Sequence, residues 1–126
     1  MVRPQYHIRD SAKGPLAWDV RRLIALSADL APFELAVTAV RELDENHWYQ
    51  HSLPTCRSVL EHAVLIETAD LSYPVILDHT GRLMDGMHRI CKAIMLKQQY
   101  VLAVQFPEIP APDFIGVEPA DLPYDD

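Results

Sequence analysis

The hydrophobic pattern is clearest in the second half of the chain. A short apolar run, Val75–Leu77, is followed by the turn-forming sequence Asp78–Gly81 and by an extended segment at 82–84, which together predict a tight hairpin. After Gly86 the period of the apolar residues changes from that of a strand to that of a helix. The residues that share the predicted helical face are Met87, Ile90, Cys91, Ile94 and Met95. A last apolar segment, Val101–Phe106, predicts another strand.

The first half of the chain gives a weaker pattern. Tyr6–Ile8 has the composition of an edge strand, and the segment Asp19–Leu26 predicts a strand in which Leu23, Ile24 and Leu26 are mostly buried. Apolar residues then recur at helical spacing, with Pro32 in a position that a first helical turn tolerates. These apolar positions are Phe33, Ala36, Val37, Val40 and Leu43. We therefore predict a first helix over about Ala31–Asp44.

A second helix is predicted after the polar and aromatic loop Glu45–Leu53. It begins near Thr55, ends near Ala69 and carries an apolar stripe that would face the core. The stripe consists of Cys56, Val59, Leu60, Ala63 and Ile66. With the hairpin, the helix after Gly86 and the last strand, this gives an α+β domain with a mixed sheet flanked by about three helices.

Length and composition fit one domain of 126 residues. No apolar run approaches the roughly 20 residues that a membrane span requires. The N-terminus has no apolar segment of the kind found in a signal peptide. Cys56 and Cys91 both fall on predicted apolar helix faces and form no disulfide framework, so we expect a cytoplasmic protein.

The charge is divided unevenly along the chain. The net charge is −7, and the proline-rich tail, residues 107–126, carries six of the acidic residues and no Lys or Arg. We expect this tail to run extended over the surface, held by Phe114, Ile115, Val117 and Tyr124. Four basic residues lie between Arg82 and Lys97, where Asp85 is the acidic residue. That balance favours a small anionic ligand and argues against a DNA-binding surface, which needs a broad basic stripe.

The corner Asp85–Arg89 carries the most specific chemistry. A helix N-terminus exposes unpaired N–H groups and the positive end of the helix dipole, and is therefore an anion site. Gly86 permits a tight turn and the close approach of a ligand. His88 adds a titratable donor, and Arg89 adds a guanidinium that suits phosphate. The alternative is a structural turn in which Arg89 pairs with a local carboxylate.

The motif Asp85-Gly86-x-His88-Arg89, placed after a hairpin and at the start of a helix, resembles the ParB/sulfiredoxin superfamily. The resemblance is close over Tyr73–Phe106 and looser back to about Arg21. It implies a compact α+β domain in which Gly86, Met87, His88 and Arg89 bind the phosphates of a nucleotide. Met87 stands where sulfiredoxins have their catalytic cysteine, so sulfiredoxin activity is not expected. Nor do we expect a role in centromere binding, because no helix-turn-helix segment follows.

The same resemblance suggests a phosphotransferase or NTPase that uses Mg²⁺ with ATP, ADP or CTP. Asp85, Glu34 and His88 are then the candidate catalytic residues. The alternative is a nucleotide- or anion-binding module without chemistry, which contacts a protein partner or a second copy of itself. The lack of a second clear catalytic acid favours this alternative.

The loop after the first predicted helix is unusually aromatic and rich in histidine. His47, Trp48 and His51, together with Arg57, are candidates for the wall of a substrate pocket. His47 and His51 also have the i,i+4 spacing of a zinc pair, but zinc needs three or four ligands and the neighbouring sequence offers no third. We therefore predict no metal site there.

Overall fold

The computed structural model describes residues 5–50 and 52–124, and the structural statements below concern those residues. They form three α-helices and seven short strands, joined by loops and 3₁₀ turns. The helices are α1 (Val20–Ser27), α2 (Cys56–Thr68) and α3 (Met87–Met95). The strands are β1 (Tyr6–Arg9), β2 (Leu16–Asp19), β3 (Phe33–Ala36), β4 (Val75–Leu77), β5 (Leu83–Asp85), β6 (Tyr100–Gln105) and β7 (Phe114–Ile115).

The strands form two sheets. The larger sheet has the order β3-β6-β4-β5, in which β6 runs parallel to β4 and antiparallel to β3, and β4 and β5 form a hairpin. The smaller sheet has the order β1-β2-β7 and is antiparallel. The predicted α+β class, with a mixed sheet and three helices, is confirmed.

The larger sheet is covered on both faces. Val75 and Leu77 of β4 pack in one cluster with Ile90 of α3, while Ile76 packs in a second cluster with Trp18 and Leu23. Successive side chains of a strand point to opposite faces, so all three residues of β4 are buried. This double burial explains why β4 is a continuous apolar run rather than an alternating one.

The predictions for the second half of the chain hold closely. The hairpin of β4 and β5, the helix that begins at Met87 and the strand β6 are all present. Thr55 caps α2, because its hydroxyl accepts from the Ser58 N–H at 3.1 Å while the Ser58 hydroxyl accepts from the Thr55 N–H at 2.9 Å. The edge strand predicted at Tyr6–Ile8 is also confirmed as β1.

The strand predicted over Asp19–Leu26 is wrong, because this segment forms helix α1. Asp19 is its N-cap, and the carboxylate accepts from the Arg21 N–H at 2.9 Å. Leu23 is fully buried as expected, but Ile24 and Leu26 are 45% and 48% exposed. Asp19, as a capping residue, is the sequence feature that indicates a helix here. The short apolar run that follows it favoured a strand instead.

The helix predicted over Ala31–Asp44 is also wrong. Residues Phe33–Ala36 form strand β3, and 3₁₀ turns follow at Val37–Ala39 and Arg41–Asp44. Strand β3 pairs with β6, which is more than sixty residues away along the chain. This long-range pairing determines the structure of a segment whose own apolar spacing suited a helix.

The predicted boundaries of α2 are confirmed, but of its predicted apolar stripe Ile66 alone is partly buried. Val59 and Leu60 are 54% and 64% exposed, and Cys56 is exposed rather than buried on an apolar face. The partly buried side of the helix is formed by Ser58, His62 and Ile66. Helix α2 packs against α3 through this narrower and more polar side, which the distribution of apolar residues does not indicate.

The acidic tail runs extended, as predicted, and pairs through β7 with β2. Phe114 packs edge-to-face on Tyr6 at 6.0 Å between ring centroids, and the Tyr6 hydroxyl donates to the Pro123 carbonyl. The most buried side chain of the tail is Leu122, at 4% exposed, which the sequence did not single out. None of the described helices has the length and apolar character needed to span a bilayer.

A buried carboxylate, Asp78, connects the hairpin to β1. It is 1% exposed and accepts bonds from Thr80 and from the Arg82 N–H, as well as from Arg9 of β1 at 2.8 Å. Burial alone would raise its pKa, but the hydrogen bonds from Thr80, Arg9 and the backbone outweigh burial and lower the pKa to about 2.

This shift predicts an acid-sensitive contribution to stability. Because the folded pKa lies below the ordinary value of 3.8, the contribution is complete above pH 4 and is lost as the pH falls toward 2. We expect urea unfolding of the natural chain to lose about 2 kcal/mol over that range from this group. Asp78→Asn should be less stable at pH 7 and should lack this part of the pH dependence. An unchanged acid limb in Asp78→Asn would contradict the assignment.

Candidate functional site at the start of helix α3

Gly86 forms the turn between β5 and α3. Its φ is +119°, a left-handed conformation that side chains other than glycine adopt at a cost. A Cβ at this position would lie 2.5 Å from Cγ1 of Val75. The space left by the missing Cβ is therefore occupied by the core strand β4. This differs from the expectation that Gly86 makes room for a ligand.

Arg89 is held in an internal ion pair. Its Nη2 donates to Oδ2 of Asp85 at 2.6 Å, and its Nη1 donates to the Pro74 carbonyl at 3.0 Å. The two charged side chains are 17% and 18% exposed. The guanidinium thus ties the first turn of α3 to the end of β5 and to the start of β4. The structure places Arg89 in the local pairing that the sequence left open as an alternative to phosphate binding.

His88 lies in an aromatic stack on the other side of the corner. Its Nε2 is 2.8 Å from Nδ1 of His62, so one of these nitrogens donates and the other accepts. The Trp48 ring stacks on both imidazoles, with centroid distances of 4.2 Å to His62 and 4.8 Å to His88. Burial lowers the pKa of His88 to about 4, and the positive charges of His62, His47 and Arg89 add to the effect. At pH 7 the imidazole is therefore neutral.

The corner divides two cavities. Gly86, Met87 and His88 line a groove of about 420 Å³, which we call the α3 groove. Arg89 lines a separate cleft of about 660 Å³ beside α1, which we call the α1 cleft. Asp85 lines both. The four residues predicted to bind one phosphate therefore do not converge, since Arg89 faces a different cavity from the other three.

The α3 groove continues into a third cavity of about 510 Å³ along β1. The two share Tyr6, His7, His47 and Trp48 as lining residues. His47 and Trp48 were predicted as pocket residues, and the structure places both in the groove wall. Tyr6 and His7 were missed, because they reach the groove through the pairing of β1 with β2, and residue spacing does not show this.

Charged side chains along the third cavity are mostly engaged with one another. Arg82 donates to both carboxylate oxygens of Glu45, at 2.8 and 2.9 Å. Arg9 donates to Asp78 and, through Nε, to Nε2 of His7 at 2.8 Å. Burial, together with the positive charge of Arg9, lowers the pKa of His7 to about 3. These contacts leave the third cavity close to electrically balanced rather than strongly basic.

The remaining candidates lie apart from the corner or outside the described residues. Glu34 is on β3, at the opposite edge of the sheet from β5 and Asp85. Three inter-strand steps place those strands about 14 Å apart. Arg57 is exposed on α2 and is not among the residues that line the α3 groove, the α1 cleft or the third cavity. His51 lies outside the residues that the structure describes.

Three of the four basic residues between Arg82 and Lys97 are bound to different partners. The Lys92 ammonium donates to the carbonyls of Glu67 and Ala69, where it caps the C-terminus of α2. Arg82 and Arg89 are paired with carboxylates. Across residues 5–50 and 52–124, no group of three or more His, Cys, Asp or Glu side chains is arranged to hold a metal ion.

Comparisons with protein-family models, with curated proteins and with solved structures found no match. The likeness to the ParB/sulfiredoxin superfamily therefore rests on the Asp85–Arg89 motif and its neighbouring elements, and it stays a resemblance.

The close contact at Gly86 predicts a strong and specific effect of a methyl group. Gly86→Ala should cost about 3 kcal/mol, because it combines a disfavoured backbone conformation with a clash against Val75. Gly81→Ala is the matched control, since Gly81 has a φ of +88° but no described atom beyond its two chain neighbours lies within 4 Å of the new Cβ. We expect a cost of about 1 kcal/mol there. Urea denaturation measures both, and equal losses would show that Gly86 is not closely packed.

Proposed function

We propose that this chain is a ParB/sulfiredoxin-like domain that binds a nucleotide, or another small molecule bearing a phosphate, in the α3 groove without transforming it. The observation that carries the proposal is that the first residues of α3 line an open groove directly after a glycine N-cap. The proposal corresponds to the non-catalytic alternative left open by the sequence. The first expectation included the Arg89 guanidinium among the phosphate ligands, whereas here the contacts come from backbone N–H groups of α3.

The anion-binding element is the backbone of the first turn of α3. The first helical bond runs from the Ile90 N–H to the Gly86 carbonyl at 3.1 Å, so helix geometry leaves the preceding amides without an intrahelical acceptor. Within the described chain no side chain caps this end, because glycine occupies the cap. In this proposal the N–H groups of Met87 and His88, together with the helix dipole, stabilise the anion bound in the groove.

Aromatic lining favours a nucleotide over free phosphate. Tyr6, Trp48 and Tyr124 line the α3 groove, and Tyr6 and Tyr124 pack edge-to-face at 5.4 Å between centroids. Aromatic faces and edges provide contact area for a nucleobase with little dependence on its identity. The groove, of about 420 Å³, lies within the range of small-molecule sites.

The arrangement of carboxylates argues against phosphoryl transfer. Asp85 is already bound to Arg89, and Glu34 is on the far edge of the sheet. Phosphoryl transfer needs a metal-binding carboxylate and a group that positions the nucleophile, both at the transferred phosphate. These residues do not fit a protein-held Mg²⁺. In this proposal a magnesium ion arrives on the phosphates of the nucleotide itself.

A charge placed in the groove should weaken binding. Gln5 is exposed and lines the α3 groove as well as the α1 cleft, so Gln5→Glu places a carboxylate near phosphates bound in the groove. At roughly 6 Å in water this costs about 0.7 kcal/mol per phosphate charge, which is about a threefold loss of affinity at low salt. Gln98→Glu is the matched control, because it makes the same change of net charge at an exposed site on the turn after α3.

Isothermal titration with ATP, ADP and CTP measures the effect, and the reaction mixtures are then examined for product. The proposal expects saturable binding, a loss confined to Gln5→Glu and no turnover. Equal weakening in both variants would place the nucleotide elsewhere. A complete lack of binding would remove the proposed function, and turnover would restore the enzyme.

A further inference from the structure

The α1 cleft is lined mainly by apolar side chains. Its base is formed by Ile76 and Val104, each 2% exposed, and one wall is formed by Val20 and Ile24 of α1. Leu30 lies in the loop after α1 and closes one side. The cleft has a volume of about 660 Å³, which is within the range of pockets that enclose a small organic molecule.

One end of the cleft is polar and nearly neutral. The Asp85–Arg89 pair lies there, and both side chains are more than four-fifths shielded from solvent. The contacts to Asp85 and Pro74 use two of the five N–H donors of the guanidinium. The bonded carboxylate oxygen is Oδ2, and a carboxylate can accept about four hydrogen bonds. The same end of the cleft can therefore both donate to a ligand and accept from it.

We propose that the α1 cleft binds an uncharged small molecule with an apolar ring or branched aliphatic body and one end that both donates and accepts hydrogen bonds, such as a carboxamide. The apolar walls stabilise the body of the ligand through burial of its surface. A net charge on the ligand would be desolvated beside an ion pair that has already neutralised itself, so an anion gains little there. The cleft adjoins the α3 groove, with which it shares Gln5, Val20 and Asp85, but its other apolar residues and the Arg89 side chain belong to the cleft alone. The proposal does not depend on nucleotide binding in the groove.

Two side chains of α1 provide a matched test of the location. Ile24 and Leu26 are on the same helix and are 45% and 48% exposed, but Ile24 lines the cleft, whereas Leu26 is outside its described lining. Ile24→Lys places a long charged side chain in the wall of the cleft, and Leu26→Lys makes an equivalent change elsewhere on the helix. Circular dichroism and thermal unfolding establish that both variants are folded.

The probe is 2-naphthamide, titrated into the ¹⁵N-labelled chain and followed by amide chemical shifts. We expect saturable shifts at Ile24, Ile76 and Arg89, at least tenfold weaker binding in Ile24→Lys, and less than a twofold change in Leu26→Lys. The charged analogue 2-naphthoate should bind at least fivefold more weakly than the amide.

Three results would overturn the inference. The first is a lack of saturable shifts up to the solubility limit of 2-naphthamide. The second is an equal loss in the two lysine variants, which would place the probe outside the cleft. The third is binding of 2-naphthoate as tight as that of the amide, which would contradict a neutral polar end.

Discussion

The ion pair between Asp85 and Arg89 determines what the corner before α3 can do. It joins the end of β5 to the first turn of the helix through a 2.6 Å hydrogen bond, and a second bond from Arg89 to Pro74 fixes the start of β4. A guanidinium engaged in this way has lost most of its attraction for an external phosphate. It acts instead as a structural tie and separates the groove on one side of the corner from the cleft on the other.

Two further features of the corner accompany that division. Gly86 brings the turn so close to Val75 that even a methyl group would collide, so the hairpin and the helix are locked together in the core. His88 is directed the other way, into a neutral stack with Trp48 and His62. What the corner offers to an anion is therefore a set of backbone N–H groups and a helix dipole, in a groove whose charged lining residue, Asp85, is paired with Arg89. These features are the basis of the proposal that the groove binds a phosphate-bearing ligand without transferring a phosphoryl group.

The sequence predicted the second half of the fold well, because there the hydrophobic period changes sharply at Gly86 and strand β4 is buried on both faces. It failed for α1 and β3. Asp19 caps a helix whose short apolar run suited a strand, and β3 owes its structure to pairing with β6 from a distant part of the chain. Within the site, Arg89 and Asp85 stand four residues apart, but spacing alone does not decide whether they pair. Tyr6 and His7 reach the groove through long-range strand pairing, which the sequence does not reveal.

The central claim is that Arg89 is a structural partner of Asp85, and a double-mutant cycle of unfolding free energies tests it most directly. The cycle uses Asp85→Ala, Arg89→Ala and the double variant. For a pair that is more than four-fifths shielded from solvent, the account predicts a coupling of about 1–2 kcal/mol, with each single variant nearly as destabilised as the double variant. A coupling indistinguishable from zero would contradict it and would return the guanidinium to the role of a free anion-binding group.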